Sequence, residues 1–341
     1  MSKGNFDETD LTMMFHSRAF TVVATIIAVL VAIALSQIGG FVPFAENRGI
    51  AFNAVGSYIS DADTSLIVSL VVTVGTALFL VYANGKYTLI RGFSFLFAAI
   101  FMIAMVCCPP AVCFFYGGAT FCLLTMLAAV LLISVYQQPE RTKEVFLAFF
   151  LLSLGACFHW GQLVIAAVFF AGCGQMMIFK PKVLLAAIFG LVTPLWILIG
   201  FGIVAPTDLV IPTSHVTLPI DNPTELSYIL TFTAFSGFLC IVFGVLNILK
   251  FLSADTRTRS VNGFIFLLTL ASVILAAADY ANLPVYIPII NCFTALQTGQ
   301  FFAVSIARRS YIPIIIVCLI YIALLVFGVT ILAKLPVAEI V

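Results

Sequence analysis

Residues 183–205 read VLLAAIFGLVTPLWILIGFGIVA, an apolar run without a single charged side chain. A helix needs about 20 such residues to cross the hydrocarbon core of a bilayer, which is about 30 Å thick. The sequence FKPK at residues 179–182 stands directly before the run, and basic residues are typical of a cytoplasmic helix end. This stretch therefore predicts a transmembrane helix, and the same pattern recurs along the chain.

Composition extends the prediction to the whole chain of 341 residues. It is 63% hydrophobic and 9% charged, with a mean hydropathy of +1.22, whereas soluble domains are about 45–50% apolar and about 25% charged. No soluble core could bury this much apolar surface, so lipid must solvate it. The predicted fold class is all-α, a polytopic integral membrane helical bundle. A net charge of +1 gives no field that would attract nucleic acid.

Apolar runs between polar breaks give about eleven transmembrane helices, within a range of 10 to 12. Two of the runs, 92–107 and 145–158, are short for a full crossing. The predicted spans are 19–39, 65–82, 92–107, 111–136, 145–158, 161–179, 183–205, 227–251, 262–281, 285–305 and 311–333.

The basic residues orient these spans, because cytoplasmic loops concentrate Lys and Arg. With a cytoplasmic N-terminus, only Arg48 and Lys334 lie outside, and the C-terminus is periplasmic. The thirteen cytoplasmic residues are Lys3, Arg18, Lys86, Arg91, Arg141, Lys143, Lys180, Lys182, Lys250, Arg257, Arg259, Arg308 and Arg309.

The predicted organisation is a single transmembrane bundle over residues 19–333. A cytoplasmic tail (1–18) precedes it, and an outer tail (334–341) follows. Two outer loops, 40–64 and 206–226, are long enough to have structure. The two short spans can be explained by turns recessed from the outer surface or, equally well, by helix tilt.

Asp61 and Asp63, in the sequence DAD, are one pair of candidate catalytic residues. At the outer face, two carboxylates could supply a base or hold a divalent cation beside a lipid phosphate. The favoured alternative is an acidic N-terminal cap on the second span, with the helix starting at Asp63 or Thr64. No cofactor is predicted other than that conditional cation.

Asp279, Asn291 and Gln297 are candidates for a substrate path. An acid within an apolar run is a functional hypothesis by default, although Asp279 lies near the outer end of its span. Asn291 and Gln297 share one helical face with Thr294 and Thr298. Such a face commonly joins helices by hydrogen bonds, and packing is favoured over a polar pathway.

His159 lies in FHWGQ, residues 158–162, between two spans on the predicted outer side. Gly161 permits a tight reversal, and Trp160 suits the aromatic belt of the interface. We therefore expect a turn, with a recessed outer pocket lined by His159 as the alternative. Two glycine pairs, Gly172 with Gly174 and Gly200 with Gly202, predict close helix contacts.

The stretch 145–202 resembles the central region of an uncharacterised family of polytopic inner-membrane proteins from Bacteroidota. The pattern is an apolar hairpin with a small aromatic turn, the FKPK connection, and a helix with Gly190, Leu191 and Pro194. The resemblance implies a bacterial inner-membrane location and no catalytic residues. The same region is more loosely similar to small glycosyltransferases that use polyprenyl-phosphate donors, but this chain lacks a large outer domain and a strong acidic motif.

Three hypotheses for function follow. The first is an accessory protein or complex subunit in cell-envelope biogenesis. The second is a glycosyltransferase-like enzyme acting on lipid-linked substrates at the periplasmic face. The third is a transporter or lipid flippase. The predicted partners are the lipid bilayer and, beyond it, other inner-membrane envelope proteins or lipid-linked glycans.

Overall fold

The computed structural model of the protein describes residues 14–38, 48–59, 61–90, 95–209, 223–304 and 311–332. Twelve α-helices lie within these residues. They are α1 (Arg18–Ile38), α2 (Ala62–Tyr87), α3 (Leu96–Val106), α4 (Pro109–Cys113), α5 (Gly117–Ser134), α6 (Thr142–Phe158), α7 (Gly161–Gln175), α8 (Pro181–Gly200), α9 (Pro223–Lys250), α10 (Thr256–Ala278), α11 (Leu283–Val304) and α12 (Tyr311–Leu332).

The all-α membrane fold is confirmed, and each of the eleven predicted spans coincides with a helix. Seven of the described helices are long and apolar enough to cross a membrane, namely α1, α2, α5, α8, α9, α10 and α12. The chain is thus a multi-pass membrane protein. The exact number of crossings and the side of each terminus stay predictions. Residues 1–13, 210–222 and 334–341, within the predicted tails and second outer loop, lie outside the described residues.

Helix α11 lies at the centre of the bundle and packs against α3, α5, α9 and α10. Every residue from Asn282 to Gln300 is buried, although this stretch contains several amides and hydroxyls. A lipid-facing helix must be apolar, whereas a helix enclosed by others can exchange hydrogen bonds with them. The polar character of α11 therefore agrees with its central position.

The span predicted to start at residue 111 differs from the structure, because α5 begins only at Gly117. Pro109 and Pro110 instead begin the short buried helix α4, and the chain is extended at Phe114. Proline lacks an N–H group and restricts the preceding residue, so a proline pair interrupts one helix and starts another. Helix α3 is only 11 residues long and covers about 16 Å at 1.5 Å per residue.

Small residues set the close approach of some helices. A Cβ atom added at Gly190 in α8 would lie 2.5 Å from the backbone oxygen of Phe146 in α6, and one at Gly172 would lie 2.4 Å from the ring of Phe264. The contact predicted for Gly172 is confirmed. Those predicted for Gly174, Gly200 and Gly202 are wrong, since nothing lies within 4 Å of their Cβ positions.

We expect Gly190→Ala to lower the free energy of unfolding by about 1–3 kcal/mol, because the new methyl group meets rigid backbone. The matched control is Gly75→Ala in α2, where nothing lies within 4 Å and alanine is the better helix former. Denaturation of both variants in detergent micelles measures the difference. Equal stability of the two variants would contradict the close contact.

Candidate functional site

The FHWGQ stretch forms the predicted turn, between the end of α6 at Phe158 and the start of α7 at Gly161. The backbone N–H of His159 donates to Gly155 O at 2.8 Å and so closes the last turn of α6. The imidazole Nδ1 accepts the backbone N–H of Gly161 at 3.2 Å. These bonds hold the His159 side chain inward, where it is 5% exposed.

The first outer loop, described over residues 48–59, covers this turn. The backbone N–H groups of Ala51 and Phe52 donate to Cys157 O at 3.1 and 3.0 Å. The Phe52 ring stacks on the Phe158 ring with centroids 5.1 Å apart. The loop therefore covers the turn, and His159 lies beneath the loop rather than at an open surface.

Two contacts hold the first outer loop, here called the covering loop, in place. A Cβ atom at Gly49 would come within 2.3 Å of Cys157 O, so no larger residue fits there without a shift of the backbone. Arg48 Nη2 donates to Asp208 O at 3.0 Å. The arginine thus joins the first predicted outer loop to the second.

Asp279 follows α10, and its carboxylate accepts hydrogen bonds from two side chains that come shortly after it in the chain. Tyr286 Oη donates to its Oδ2 at 2.7 Å, and Asn282 Nδ2 donates to its Oδ1 at 2.8 Å. The carboxylate is 4% exposed. Because both oxygens accept a hydrogen bond, the burial of this acid is partly compensated.

The structure brings His159 and Asp279 into one cluster, although they lie far apart in the sequence. The rings of His159 and Tyr286 meet edge to face, with centroids 5.4 Å apart, and Tyr286 binds Asp279. Burial lowers the pKa of the His159 imidazole to about 4, although the nearby Asp279 carboxylate opposes the shift. The imidazole is thus neutral at neutral pH.

This cluster of His159, Tyr286, Asp279 and Asn282 has one unused polar atom. His159 Nε2 is buried without a hydrogen-bond partner among the described residues. Because Nδ1 accepts a hydrogen bond and the ring is neutral, Nε2 carries the imidazole proton and can donate it to a ligand that passes the covering loop. The Cys157 thiol donates to Ser153 O at 3.3 Å. The thiol is therefore hydrogen-bonded within α6 and not to the His159 imidazole.

Asn291 and Gln297 are both buried and have helix-packing partners. Asn291 Nδ2 donates to Ala104 O of α3 at 3.3 Å. Asn247 Nδ2 of α9 donates to Gln297 Oε1 at 2.8 Å. These contacts agree with the favoured packing interpretation, and the two residues do not share partners with the His159 cluster.

An acidic residue of the DAD sequence is the N-cap of α2, but it is Asp61 and not Asp63 or Thr64, where the alternative interpretation places the cap. Asp61 Oδ2 accepts the backbone N–H of Thr64 at 3.0 Å and also the Thr64 hydroxyl. The hydroxyl and the backbone N–H together hold the pKa of Asp61 below its usual value. Asp63 lies in the first turn of the same helix and is exposed. Within the described residues, no group of three or more His, Cys, Asp or Glu side chains comes together to hold a metal ion.

Comparison of the chain with protein-family models, curated proteins and solved structures gives no significant match. The resemblance of residues 145–202 to a Bacteroidota membrane family, and to polyprenyl-phosphate glycosyltransferases, therefore stays a prediction.

Sequence analysis missed Tyr286 and Asn282 as partners of Asp279. Their spacing of i, i+3 and i+7 would place the three side chains on one face of a continuous helix, but Asp279 is the C-cap of α10, Asn282 ends a 3-10 helix (Tyr280–Asn282) and Tyr286 lies in α11. The approach of His159 to these residues is a tertiary contact between distant segments, and no local spacing reports it.

We expect Asp61→Ala to lower the midpoint of thermal unfolding by about 2 °C, because the first turn of α2 loses its cap. Asp63→Ala, the matched control, leaves the cap in place and should change the midpoint much less. Calorimetry in detergent compares the two. If the two variants behave alike, Asp61 is not acting as a cap.

Proposed function

We propose that this multi-pass membrane protein belongs to a bacterial inner membrane and serves cell-envelope biogenesis as an accessory protein or complex subunit. One observation supports this most strongly. Four of the six polar residues that could form an enzymatic site or a transport path, Asp61, Asp279, Asn291 and Gln297, accept or donate hydrogen bonds within or between helices.

The connections between helices support the same proposal. The described links on the predicted cytoplasmic side, residues 135–141, 176–180 and 251–255, are too short to fold as a catalytic domain. On the outer side, the covering loop is fastened by backbone hydrogen bonds and by Arg48. Such an arrangement suits a rigid component of an assembly better than an open entrance for substrate.

The glycosyltransferase-like alternative would require Asp61 and Asp63 to act together, with or without a divalent cation. The Asp61 carboxylate is engaged in capping α2. The transporter or flippase alternative would require Asp279, Asn291 and Gln297 to line one path, but each is buried against different helices. The geometry therefore favours the accessory role over both.

The proposal is tested by purifying the tagged protein from its native membrane in a mild detergent. We expect one or more inner-membrane proteins to copurify at near-stoichiometric ratio, and to be absent from a parallel purification of an unrelated multi-pass protein expressed at the same level. Recovery of the protein alone, after chemical crosslinking in the intact membrane, would contradict the subunit role.

A second experiment distinguishes the accessory role from an enzymatic function. The double variant Asp61→Asn, Asp63→Asn keeps a competent cap, since asparagine caps helices as well as aspartate does. We expect it to support growth and envelope integrity like wild type. Asp208→Asn, an exposed outer acid of which Arg48 uses only the backbone oxygen, is the matched control. Loss of function in the double variant alone, at unchanged protein level, would favour the enzyme.

A further inference from the structure

A cavity of about 820 Å³ lies between four helices at one end of the bundle. It is formed where α1 and α10 begin and where α2 and α11 end. Ligand sites in proteins commonly measure about 300–1,000 Å³, so the space is sufficient for a small ligand or for part of a lipid. It is separate from the His159 cluster, which contributes no residue to its lining.

Three cations line the cavity, namely Arg18, Lys86 and Arg257. No acidic side chain is among the described lining residues. The Arg18 guanidinium stacks over the Phe95 ring at 5.1 Å, and Lys86 Nζ is 3.4 Å from Tyr82 Oη. These contacts orient the two cations without neutralising them, so the cavity is complementary to an anion.

The acid nearest to Arg257 in the chain has a structural role. Asp255 is the N-cap of α10, and its carboxylate accepts the backbone N–H and the hydroxyl of Thr258 at 3.1 and 2.7 Å. It is not among the lining residues. No acidic side chain among the described lining residues therefore neutralises the three cations.

The remaining wall of the cavity is largely apolar. Val22 of α1 and Leu78 of α2 line it and are exposed on the outside of the bundle, whereas Val261 lines it from a buried position. An apolar wall that continues onto the lipid-facing surface suits a hydrocarbon chain. A site for a free soluble anion would need no such wall.

Asn262 gives an independent indication that the cavity is a ligand site. Its side chain lines the cavity and is only 6% exposed. Its Nδ2 donates to no acceptor among the described residues. A buried amide without a partner is unfavourable, and a ligand oxygen in the cavity would satisfy it.

We propose that this cavity, the basic pocket, binds an anionic membrane lipid. The phosphate head group lies among Arg18, Lys86 and Arg257, and Asn262 donates to a head-group oxygen. The hydrocarbon chain lies against Val22 and Leu78. The pocket is at the end of the bundle predicted to face the cytoplasm, where a bilayer leaflet carries anionic head groups that attract basic residues. This binding does not depend on the accessory role.

The test uses the full-length protein, purified and delipidated in a neutral detergent. Dioleoyl phosphatidylglycerol or dioleoyl phosphatidylcholine is titrated in mixed micelles while the thermal midpoint is followed, since a ligand of the folded state raises it. We expect saturable stabilisation by the phosphatidylglycerol and none by the phosphatidylcholine. Equal stabilisation by both lipids would overturn the proposal.

The double variant Lys86→Gln, Arg257→Gln should bind phosphatidylglycerol roughly 25-fold more weakly, at about fivefold for each cation near the surface. The matched control is Lys143→Gln, Lys180→Gln, which removes two exposed cations from the same predicted side but outside the pocket. We expect the control to bind like wild type. An equal loss in the control would show general attraction to the surface and would contradict a defined site.

Three further measurements complete the test. Arg257→Gln alone, at an exposed residue, should weaken binding about fivefold and replaces the double variant if that one does not fold. Inorganic phosphate at matched ionic strength separates a free anion from a lipid. Stabilisation by inorganic phosphate as large as that by phosphatidylglycerol would contradict the lipid assignment. A Leu78→Gln variant that binds phosphatidylglycerol like wild type would contradict the proposed position of the hydrocarbon chain.

Discussion

Polar side chains within this bundle have no water to bind, so the helices must satisfy one another's hydrogen bonds. Helix α11 makes several of these bonds. Asn247 Nδ2 of α9 donates to Gln297 Oε1 and to its backbone oxygen, and Thr294 Oγ1 donates to Ser236 O. Ser236 and Tyr321 share a further bond at 3.0 Å, which connects α9 to α12. Since association in lipid gains little from the hydrophobic effect, such bonds and close packing fix the arrangement.

The same constraint explains the outer cluster. Asp279 is tolerated in a buried position because Tyr286 and Asn282 supply donors to both of its oxygens. His159 is tolerated because burial keeps it neutral and the first outer loop shields it. These contacts thus join several outer segments to one another, namely the two outer loops, the α6–α7 turn and the end of α10. A residue that looks reactive in the sequence here contributes to the closure of the bundle.

Much of the fold could be predicted from the sequence because hydropathy reports lipid exposure directly. Each predicted span coincides with a helix, and the contacts of Asn291 and Gln297 agree with the packing that their spacing favours. Hydropathy does not report the break that the proline pair after α3 causes, so the predicted span begins at residue 111 whereas α5 begins at Gly117. The approach of His159 to Tyr286 is not predictable from the sequence, because it depends on how the α6–α7 turn meets α11. Arg18, Lys86 and Arg257 were recognised as markers of orientation, but only the structure brings them together around a cavity.

Hydrogen bonds in the polar interior of the bundle hold the helices together. A double-mutant cycle on Asn247→Ala and Gln297→Ala, with denaturation measured in detergent micelles, tests this most directly. We predict a favourable coupling of about 0.6 kcal/mol, with an upper bound of about 1.7 kcal/mol for bonds between membrane helices. A coupling of zero, with both single variants as stable as wild type, would contradict the claim and reopen a polar path along α11.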